Sequence, residues 1–270
     1  MIENPRSGRV KAVAKLSRRQ TRQETGLFLL EGPQAVSEAL AWRPELLEEL
    51  FVTPTAAEKH AGIMAAVRDA DVDFEYVTED VLDAMTDTVT PQGIAAVCRQ
   101  HPTALKDIVA RTPRLIAVLE EVRDPGNLGT IIRAADAAGA DAVVLTGRTV
   151  DPFNSKVVRS TTGSLFHLPF AVGGELDTVL PQLRSAGLTI VAADIKGDDL
   201  LSRRDAGDLA QPTAWLFGNE ARGLADEILQ RVDAAISVPI YGRAESMNLS
   251  TAASVCLYES AFAQRASDKS

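Results

Sequence analysis

The chain has 270 residues, of which 46% are hydrophobic and 24% are charged, and its mean hydropathy is near zero. This length accommodates one large or two ordinary domains with proper cores, and the composition is that of a soluble globular protein. No apolar run approaches the roughly 18 residues of a membrane span, and the first residues lack the hydrophobic stretch of a signal peptide. The net charge of −9 argues, taken alone, against a nucleic-acid partner.

Cysteine and histidine are scarce and scattered. Cys98 and Cys256 are the only cysteines, and the histidines are His60, His101 and His167. Two isolated thiols make neither a disulfide framework nor a metal cluster. We therefore expect a protein that binds no metal and works in a reducing cytoplasm.

Positive charge is concentrated at the N-terminus. Residues 1–23 carry seven basic residues against one acidic residue, a local charge of +6, so the remaining residues carry −15. This asymmetry predicts a basic N-terminal arm for nucleic-acid phosphates, with a solvated helix face as the alternative. The arm contains no aromatic residue, so we expect it to position a nucleic acid rather than to read its bases. The candidate binding residues are Arg9, Lys15, Arg18, Arg19 and Arg22.

Strands and helices alternate between residues 24 and 100, which predicts a small α/β domain. Prolines at two predicted helix starts, Pro33 and Pro54, suit the first helical position. Residues 101–113, with Pro102 and Pro113, are typical of a linker. The predicted strands cover residues 27–32, 50–53, 74–77 and 92–98, and the predicted helices cover residues 33–42, 54–69 and 79–85.

The alternation begins again in residues 114–270. Short, continuously apolar strands separated by helices imply a parallel sheet that is covered on both faces. The predicted strands cover residues 115–119, 142–145, 189–193, 214–217 and 236–240. The predicted helices end near Ala138, cover residues 154–162 and 176–186, and run from Met247 to about Ala266.

Three polar segments stand in this second half where a strand should pass into a helix. They are Asn127-Leu128-Gly129-Thr130-Ile131-Ile132-Arg133, Phe217-Gly218-Asn219-Glu220-Ala221-Arg222-Gly223-Leu224, and the stretch from Pro239 through Glu245-Ser246-Met247-Asn248-Leu249-Ser250. Open α/β sheets bind their ligands at such places. The sequence therefore predicts a site built from all three segments.

The first segment carries an arginine in an unusual place. Asn127 fits either a phosphate-binding turn or a simple N-cap, and the G-x-G-x-x-G pattern of dinucleotide-binding proteins is absent. Arg133 lies in the first turns of the predicted helix, where a cation opposes the helix dipole. An anionic partner explains Arg133 better than helix stability does.

The other two segments each allow a structural and a functional interpretation. Gly218 lets backbone approach a ligand closely, and Gly223 permits a positive φ. Glu220 could fix the turn or hold a substrate hydroxyl. Ser246 or Asn248 could be the N-cap of the last helix.

Together and in this order, the three segments resemble the signature motifs of the SpoU (TrmH) family of RNA ribose 2′-O-methyltransferases, in the SPOUT superfamily. The resemblance is strong over residues 114–265. It implies a SPOUT methyltransferase domain over residues 114–270, with a deep trefoil knot, in a homodimer. A looser match at Glu31-Gly32 and Pro91-Gln92-Gly93-Ile94 implies a ribosomal-protein-like, RNA substrate-binding α/β domain over residues 24–100.

The resemblance also implies the cofactor, S-adenosylmethionine, and the site residues. Its catalytic set is Arg133, Asn127, Glu220, Ser246 and Asn248, with Arg133 central, and its cofactor-binding set is Leu216, Gly218, Val238, Ile240 and Met247. Methyl transfer mainly needs alignment, which suits glycine-rich loops. Arg133 could act as a base in a dry site or as a clamp on phosphate and alkoxide, with Asn127 orienting it.

The leading hypothesis is a ribose 2′-O-methyltransferase for ribosomal RNA. The alternatives are a transfer-RNA ribose methyltransferase, and a non-catalytic RNA-binding protein that kept the fold. An α/β enzyme for a small metabolite is a further alternative, against which the basic arm and the absence of a P-loop argue.

Overall fold

The computed structural model describes residues 1–267, which divide into two units. Unit 1 comprises Met1–His101 together with Asp151–His167. Unit 2 comprises Pro102–Val150 and the described residues from Leu168 onward. The sequence prediction ended the second domain at residue 270, so residues 268–270 of that prediction lie outside the described part of the chain.

Unit 1 contains a mixed four-stranded sheet. In its strand order β1-β4-β2-β3, β4 is antiparallel to both neighbours and β3 is parallel to β2. With elements numbered along the whole chain, the strands are β1 (Leu27–Glu31), β2 (Leu47–Val52), β3 (Phe74–Tyr76) and β4 (Ile94–Arg99). The helices are α1 (Gly8–Ala14), α2 (Arg19–Thr25), α3 (Pro33–Trp42), α4 (Pro54–Lys59), α5 (Ala61–Asp69), α6 (Glu79–Met85) and α9 (Ser155–Thr161).

Local sequence signals set most of these boundaries. The hydroxyls of Thr53 and Thr78 accept backbone N–H groups as N-caps of α4 and α6. The single helix expected from Pro54 to Asp69 is interrupted at His60, whose backbone is not helical. Gly93 has φ +80°, and a Cβ there would lie 2.4 Å from the Cβ of Ala56, so the turn before β4 requires glycine.

The expected basic arm is part of the fold of unit 1. Val10, Val13 and Leu16 are buried in the core of this unit, because their three-residue spacing forms an apolar stripe on the N-terminal helical segment. The prediction of a separate arm over residues 1–23 is therefore corrected. Lys15, Arg18 and Arg19 are exposed on this segment, as are Arg6 and Lys11.

Arg22 and Arg9 make internal contacts instead of facing solvent freely. Arg22 is 2% exposed, and its Nε and Nη2 donate to Oδ2 of Asp151 at 2.9 and 2.6 Å. Its Nη1 donates to the carbonyls of Leu16 and Ser17, both at 2.8 Å. The prediction that Arg22 binds RNA is therefore corrected, because its guanidinium makes its hydrogen bonds inside the unit. Arg9 remains half exposed but pairs with Glu49.

The segment from Asp151 to His167 was expected in the second domain, yet its contacts place it in unit 1. Nη1 of Arg159 on α9 lies 3.2 Å from Oε2 of Glu31, and Nε2 of His167 lies 3.1 Å from Oε2 of Glu38. Polar contacts between residues more than a hundred positions apart cannot be predicted from local sequence.

Replacing Arg22 with methionine should destabilise unit 1 severely. Removing one partner of a buried ion pair leaves the other charge unpaired and costs about 3–5 kcal/mol. Hydrogen exchange followed by mass spectrometry should show lost protection in peptides of unit 1 and retained protection in those of unit 2. Arg19→Met, at an exposed position of the same helix, is the matched control and should change protection little. Equal protection in the two variants would contradict the structural role of Arg22.

Unit 2 contains a six-stranded sheet in the order β10-β8-β9-β5-β6-β7, and all its paired strands are parallel, as predicted. The strands are β5 (Leu115–Glu120), β6 (Ala142–Thr146), β7 (Phe170–Val172), β8 (Thr189–Asp199), β9 (Thr213–Phe217) and β10 (Ala234–Ser237). The helices are α7 (Leu105–Val109), α8 (Pro125–Ala138), α10 (Leu176–Ser185), α11 (Leu200–Asp205), α12 (Asp226–Leu229) and α13 (Leu249–Ser267).

Helices cover both faces of this sheet, which explains its continuously apolar strands. Ile116 of β5 and Leu216 of β9 belong to a buried cluster that includes Leu183 of α10. On the other face, Nε1 of the fully buried Trp215 donates to Oγ of Ser260 on α13 at 2.9 Å. Across the described residues, no helix combines the length and the apolar character needed to cross a bilayer.

The structure also differs from the predicted elements near the C-terminus. The last strand, β10, ends at Ser237 rather than at Ile240, because Pro239 has no N–H to donate to a ladder. Residues 238–248 form no helix or strand, and α13 begins at Leu249.

The segment that was expected to be a linker, residues 101–113, contains the short helix α7.

Neither thiol should react with iodoacetamide in the folded protein. Cys98 and Cys256 are both fully buried, and burial raises the pKa of the Cys256 thiol to about 12 and also raises the pKa of Cys98. At pH 8 a thiol with a pKa of about 12 is ionised in roughly one molecule in ten thousand. Mass spectrometry should find both cysteines unmodified in the native protein and modified after unfolding in urea. Rapid native alkylation would contradict this placement.

Candidate functional site

The three polar segments occupy the carboxyl ends of strands in unit 2. The first follows β5 and opens α8, the second follows β9, and the third lies between β10 and α13. Because β5 and β9 are neighbours in a parallel sheet, the loops that follow them meet at the same edge. Ligands bind at this edge in open α/β sheets.

The N-cap of α8 is Asp124 and not Asn127. Oδ1 of Asp124 accepts the backbone N–H of Asn127 at 2.8 Å, and Pro125 occupies the first helical position. The interpretation of Asn127 as the cap is therefore wrong. Because Asp124 caps the helix, the amide side chain of Asn127 can hydrogen-bond to the other two segments.

Glu220 ties the second segment to the first. Its Oε1 accepts the backbone N–H of Asp124 at 2.9 Å, and its Oε2 accepts the backbone N–H of Arg123 at 3.1 Å. Nδ2 of Asn127 donates to the same Oε1 at 3.4 Å. Charge-assisted hydrogen bonds of this kind are stronger than neutral ones. Glu220 therefore fixes the loop between β5 and α8.

Asn219 closes the turn that presents Glu220. Its Oδ1 accepts the backbone N–H groups of Ala221 and Arg222, at 3.0 and 3.2 Å. Its Nδ2 donates to the carbonyl of Glu121 at 2.9 Å. Sequence reasoning did not select Asn219 as a site residue, although asparagine beside glycine in a loop is a signal for a turn stabilised by its own side chain.

Gly218 is required by packing inside this turn. A Cβ at Gly218 would lie 2.5 Å from the backbone carbon and oxygen of Gly223, which has φ +64°. The prediction placed Gly218 against the cofactor, whereas the close approach seen here is to the protein backbone. A substitution at Gly218 would push Gly223 away and open the turn that carries Glu220.

Asn248 brings in the third segment. Its Nδ2 donates to Oδ1 of Asn127 at 3.0 Å, while its own Oδ1 accepts the backbone N–H groups of Ser250 and Thr251 at 2.9 and 3.3 Å. Asn248 therefore caps α13, as one interpretation of the sequence predicted, and also holds Asn127. A continuous network from Glu220 through Asn127 to Asn248 joins all three segments.

Arg133 and Ser246 stand outside this network. Arg133 is exposed on α8, and within residues 1–267 its guanidinium forms no ion pair or hydrogen bond. The side chain of Asn127 does not contact Arg133, so the expectation that Asn127 orients it is not met. Ser246 is exposed and makes no hydrogen bond to any described residue. The structure thus brings together three of the five predicted catalytic residues.

The predicted cofactor-binding residues fall into two groups. The side chain of Leu216 is fully buried in the core, so only its backbone is available to a ligand. Val238, Ile240 and Met247 are half-buried on the segment between β10 and α13. The backbone of residues 240–247 makes no hydrogen bond to the rest of the described chain.

Free N–H donors and C=O acceptors beside half-buried apolar side chains are the groups that an adenine ring needs. The segment of residues 238–248 therefore fits an adenosine-bearing cofactor such as S-adenosylmethionine.

Comparison with known proteins identifies two families along the chain. A family model described as the SpoU rRNA Methylase family matches residues 114–258. A second model, described as the MRM3-like substrate binding domain, matches residues 7–96. The second match begins within the segment that the sequence prediction separated as an arm, in agreement with the fold of unit 1.

Individual relatives match over nearly the whole chain. The chain is 36% identical over 262 residues to the 23S rRNA (guanosine(2553)-2′-O)-methyltransferase RlmP of Bacillus subtilis (strain 168), covering 95% of this chain and 97% of that protein. Among solved structures, an AdoMet-bound rRNA methyltransferase from Sinorhizobium meliloti matches with a TM-score of 0.81 and 31% identity, covering 96% of each chain. The SpoU methyltransferase AviRb from Streptomyces viridochromogenes, in complex with AdoMet, matches with a TM-score of 0.83 and 30% identity, covering 97% of this chain and 100% of that one.

These matches confirm the α/β fold with a SPOUT domain, and they confirm the resemblance drawn from the three polar segments. The match to the first family model contains the whole network that joins those segments. The chain belongs to the SpoU rRNA Methylase family.

Proposed function

We propose that the chain is an S-adenosylmethionine-dependent methyltransferase that methylates a ribose 2′-hydroxyl in large-subunit ribosomal RNA. The observation that carries the proposal is the network from Glu220 through Asn127 to Asn248, which assembles the three family segments at one edge of the sheet. Support for ribosomal RNA over transfer RNA comes from RlmP, whose name specifies 23S rRNA.

The proposed reaction asks the protein for alignment and for management of one proton. The cofactor supplies a sulfonium methyl group that is already activated for displacement. The chain must therefore hold the ribose oxygen in line with that methyl group and stabilise the negative charge that develops on the oxygen. Backbone groups of residues 238–248 would hold the adenine, with Val238, Ile240 and Met247 beside it. Ser246 would lie near the ribose.

Arg133 is assigned to the clamp on phosphate and developing alkoxide. Arginine loses its proton only in a strongly perturbed, dry site. Arg133 is exposed, and no acidic side chain in the described chain forms an ion pair with it or competes for its donors. A planar guanidinium with five free donors suits bidentate contact with a phosphate. A role of Arg133 as a clamp on phosphate and alkoxide therefore fits these surroundings better than a role as a base.

Unit 1 is assigned to RNA binding. The family model that matches it is described as a substrate binding domain. Its exposed basic side chains at Lys15, Arg18 and Arg19, together with the half-exposed Arg9, would contact phosphates without reading sequence.

We propose three further properties on the strength of the family resemblance: a deep trefoil knot in the C-terminal part of the chain, a homodimer, and a place in the cytoplasm. Light scattering on the purified protein would test the dimer directly. Finding a monomer at micromolar concentration would refute the proposed homodimer.

Labelled methyl transfer tests the function. Incubation with labelled S-adenosylmethionine should place alkali-resistant label in unmodified ribosomal RNA and not in bulk transfer RNA. Arg133→Ala should lower the rate roughly 10²–10³-fold, as loss of a transition-state donor does. Arg133→Lys should also be impaired, by roughly tenfold or more, because lysine lacks the planar fork. Arg111→Ala, which removes an exposed arginine at the amino edge of the sheet, should retain the wild-type rate.

Calorimetry should show that both Arg133 variants still bind the cofactor. If label appeared in transfer RNA alone, transfer RNA would replace ribosomal RNA as the proposed substrate. Cofactor binding without transfer to protein-free ribosomal RNA would move the test to ribosomal precursor particles. The absence of both binding and transfer would favour a non-catalytic RNA-binding protein.

Replacing Glu220 with glutamine should lower kcat/KM while leaving the fold intact. Glutamine presents one amide NH₂ where the carboxylate has an acceptor, so one backbone N–H of the loop at Arg123 and Asp124 loses its partner. Loss of a hydrogen bond to a charged group costs about 1.5–3 kcal/mol, which corresponds to roughly tenfold or more in rate if the loop must be in place. Glu227→Gln, at an exposed position after the same segment, is the control. Equal activity of the two variants would refute the role given to Glu220.

A further inference from the structure

Glu121, directly after β5, has a backbone conformation that glutamate rarely adopts. Its φ is +53°, in the left-handed region, and it is one of four non-glycine residues with positive φ in the described chain. Such conformations cost free energy, and they persist where the surroundings hold them for a purpose.

The Glu121 carboxylate contacts two arginines. Its Oε2 accepts a hydrogen bond from Nη2 of Arg222 at 2.5 Å and lies 3.5 Å from Nη2 of Arg123. Partial desolvation opposes ionisation, but the charges and hydrogen bonds of Arg123 and Arg222 outweigh it and lower the pKa of this carboxyl. Glu121 is therefore charged at neutral pH, and the three side chains together carry a net charge of +1.

Both guanidiniums remain open to solvent. The side chain of Arg222 is 70% exposed and that of Arg123 is 50% exposed, while that of Glu121 is only 26% exposed. Each guanidinium has five N–H donors, and Glu121 uses only a small part of them. The carboxylate is thus the least exposed of the three groups, and the remaining N–H donors of both arginines are accessible to a ligand.

The backbone of each arginine is anchored to the functional network. The N–H of Arg123 donates to Oε2 of Glu220 at 3.1 Å, and the N–H of Arg222 donates to Oδ1 of Asn219 at 3.2 Å. A brace between the two loops would need only one arginine. The second arginine adds a positive charge, which points to an anionic ligand.

We propose that Arg123 and Arg222 bind a phosphodiester of the RNA substrate beside the ribose that receives the methyl group. This inference rests on the proposed function and adds a binding site to it. Arginine recognises phosphate through paired N–H donors, and two anchored guanidiniums fix the strand at one position. Glu121 is a positioning residue, because it orients both guanidiniums without contacting RNA.

The test measures RNA affinity as a function of salt. The probe is a protein-free 23S ribosomal RNA transcript, and the variant is the double substitution Arg123→Ala with Arg222→Ala. Because the two arginines share one phosphate, the double variant should lose about 0.7 from the slope of log K against log salt and bind roughly tenfold more weakly at low salt. Its affinity for S-adenosylmethionine should equal that of the wild type. The matched control removes two positive charges at the opposite, amino edge of the same sheet, by Lys106→Ala with Arg111→Ala, and should keep the wild-type slope.

Glu121→Gln separates phosphate binding from loop bracing. This variant keeps both arginines, so its salt slope should remain that of the wild type, while its methyl transfer slows because the guanidiniums are less well placed. If the pair served only as a brace, Glu121→Gln and the double arginine variant would behave alike in every measurement. That result would overturn the proposal.

The outcome also distinguishes this inference from the proposed function. Normal methyl transfer combined with an unchanged salt slope in the double arginine variant would overturn the phosphate site alone. A reduced slope in a protein that transfers no methyl group would overturn the proposed reaction and support the phosphate site. A wild-type protein that binds no ribosomal RNA would overturn both.

Discussion

The site depends on the carboxylate of Glu220, which satisfies two backbone N–H groups of the loop after β5 and contacts Asn127. These donors lie at or before the start of α8, where N–H groups have no partner within the helix. One side chain from the loop after β9 therefore holds the loop after β5. Asn127 in turn accepts a hydrogen bond from Asn248, which caps α13.

This arrangement explains why two conspicuous residues take no part in the network. The side chains of Arg133 and Ser246 have no internal partner within the described chain, whereas Glu220, Asn127 and Asn248 are joined by hydrogen bonds. A group that must contact a substrate gains nothing from an internal partner that competes for the same donors. The rigid network and the unpartnered arginine are complementary parts of a preorganised site.

Unit 1 is held together by a different kind of contact. Its most buried charge, on Arg22, is compensated by Asp151 and by two backbone carbonyls, so that each nitrogen of the guanidinium has a partner. Nearby basic residues such as Arg18 and Arg19 stay exposed. Seven basic residues that look alike in the sequence therefore divide into structural and surface roles according to whether the fold buries or exposes each side chain.

The sequence by itself determined most of the strands and helices and the family. Prolines and N-cap residues placed α3 and α6 at their observed bounds, and continuously apolar strands predicted the covered parallel sheet. The order of three polar segments identified the family without any contact between them being known. These signals are local or periodic, so the linear chain contains them.

Only the tertiary structure decided how the residues are used. The partners of Glu220 lie 93 to 97 positions away, and Asn127 and Asn248 are 121 apart. The burial of Arg22 against Asp151, the membership of residues 151–167 in unit 1 and the pairing of Arg222 with Glu121 are also long-range. Propensity and periodicity describe neighbours within a turn or two of the chain. Which distant backbone donor meets which carboxylate is set by strand order, because neighbouring parallel strands bring their following loops to one edge of the sheet.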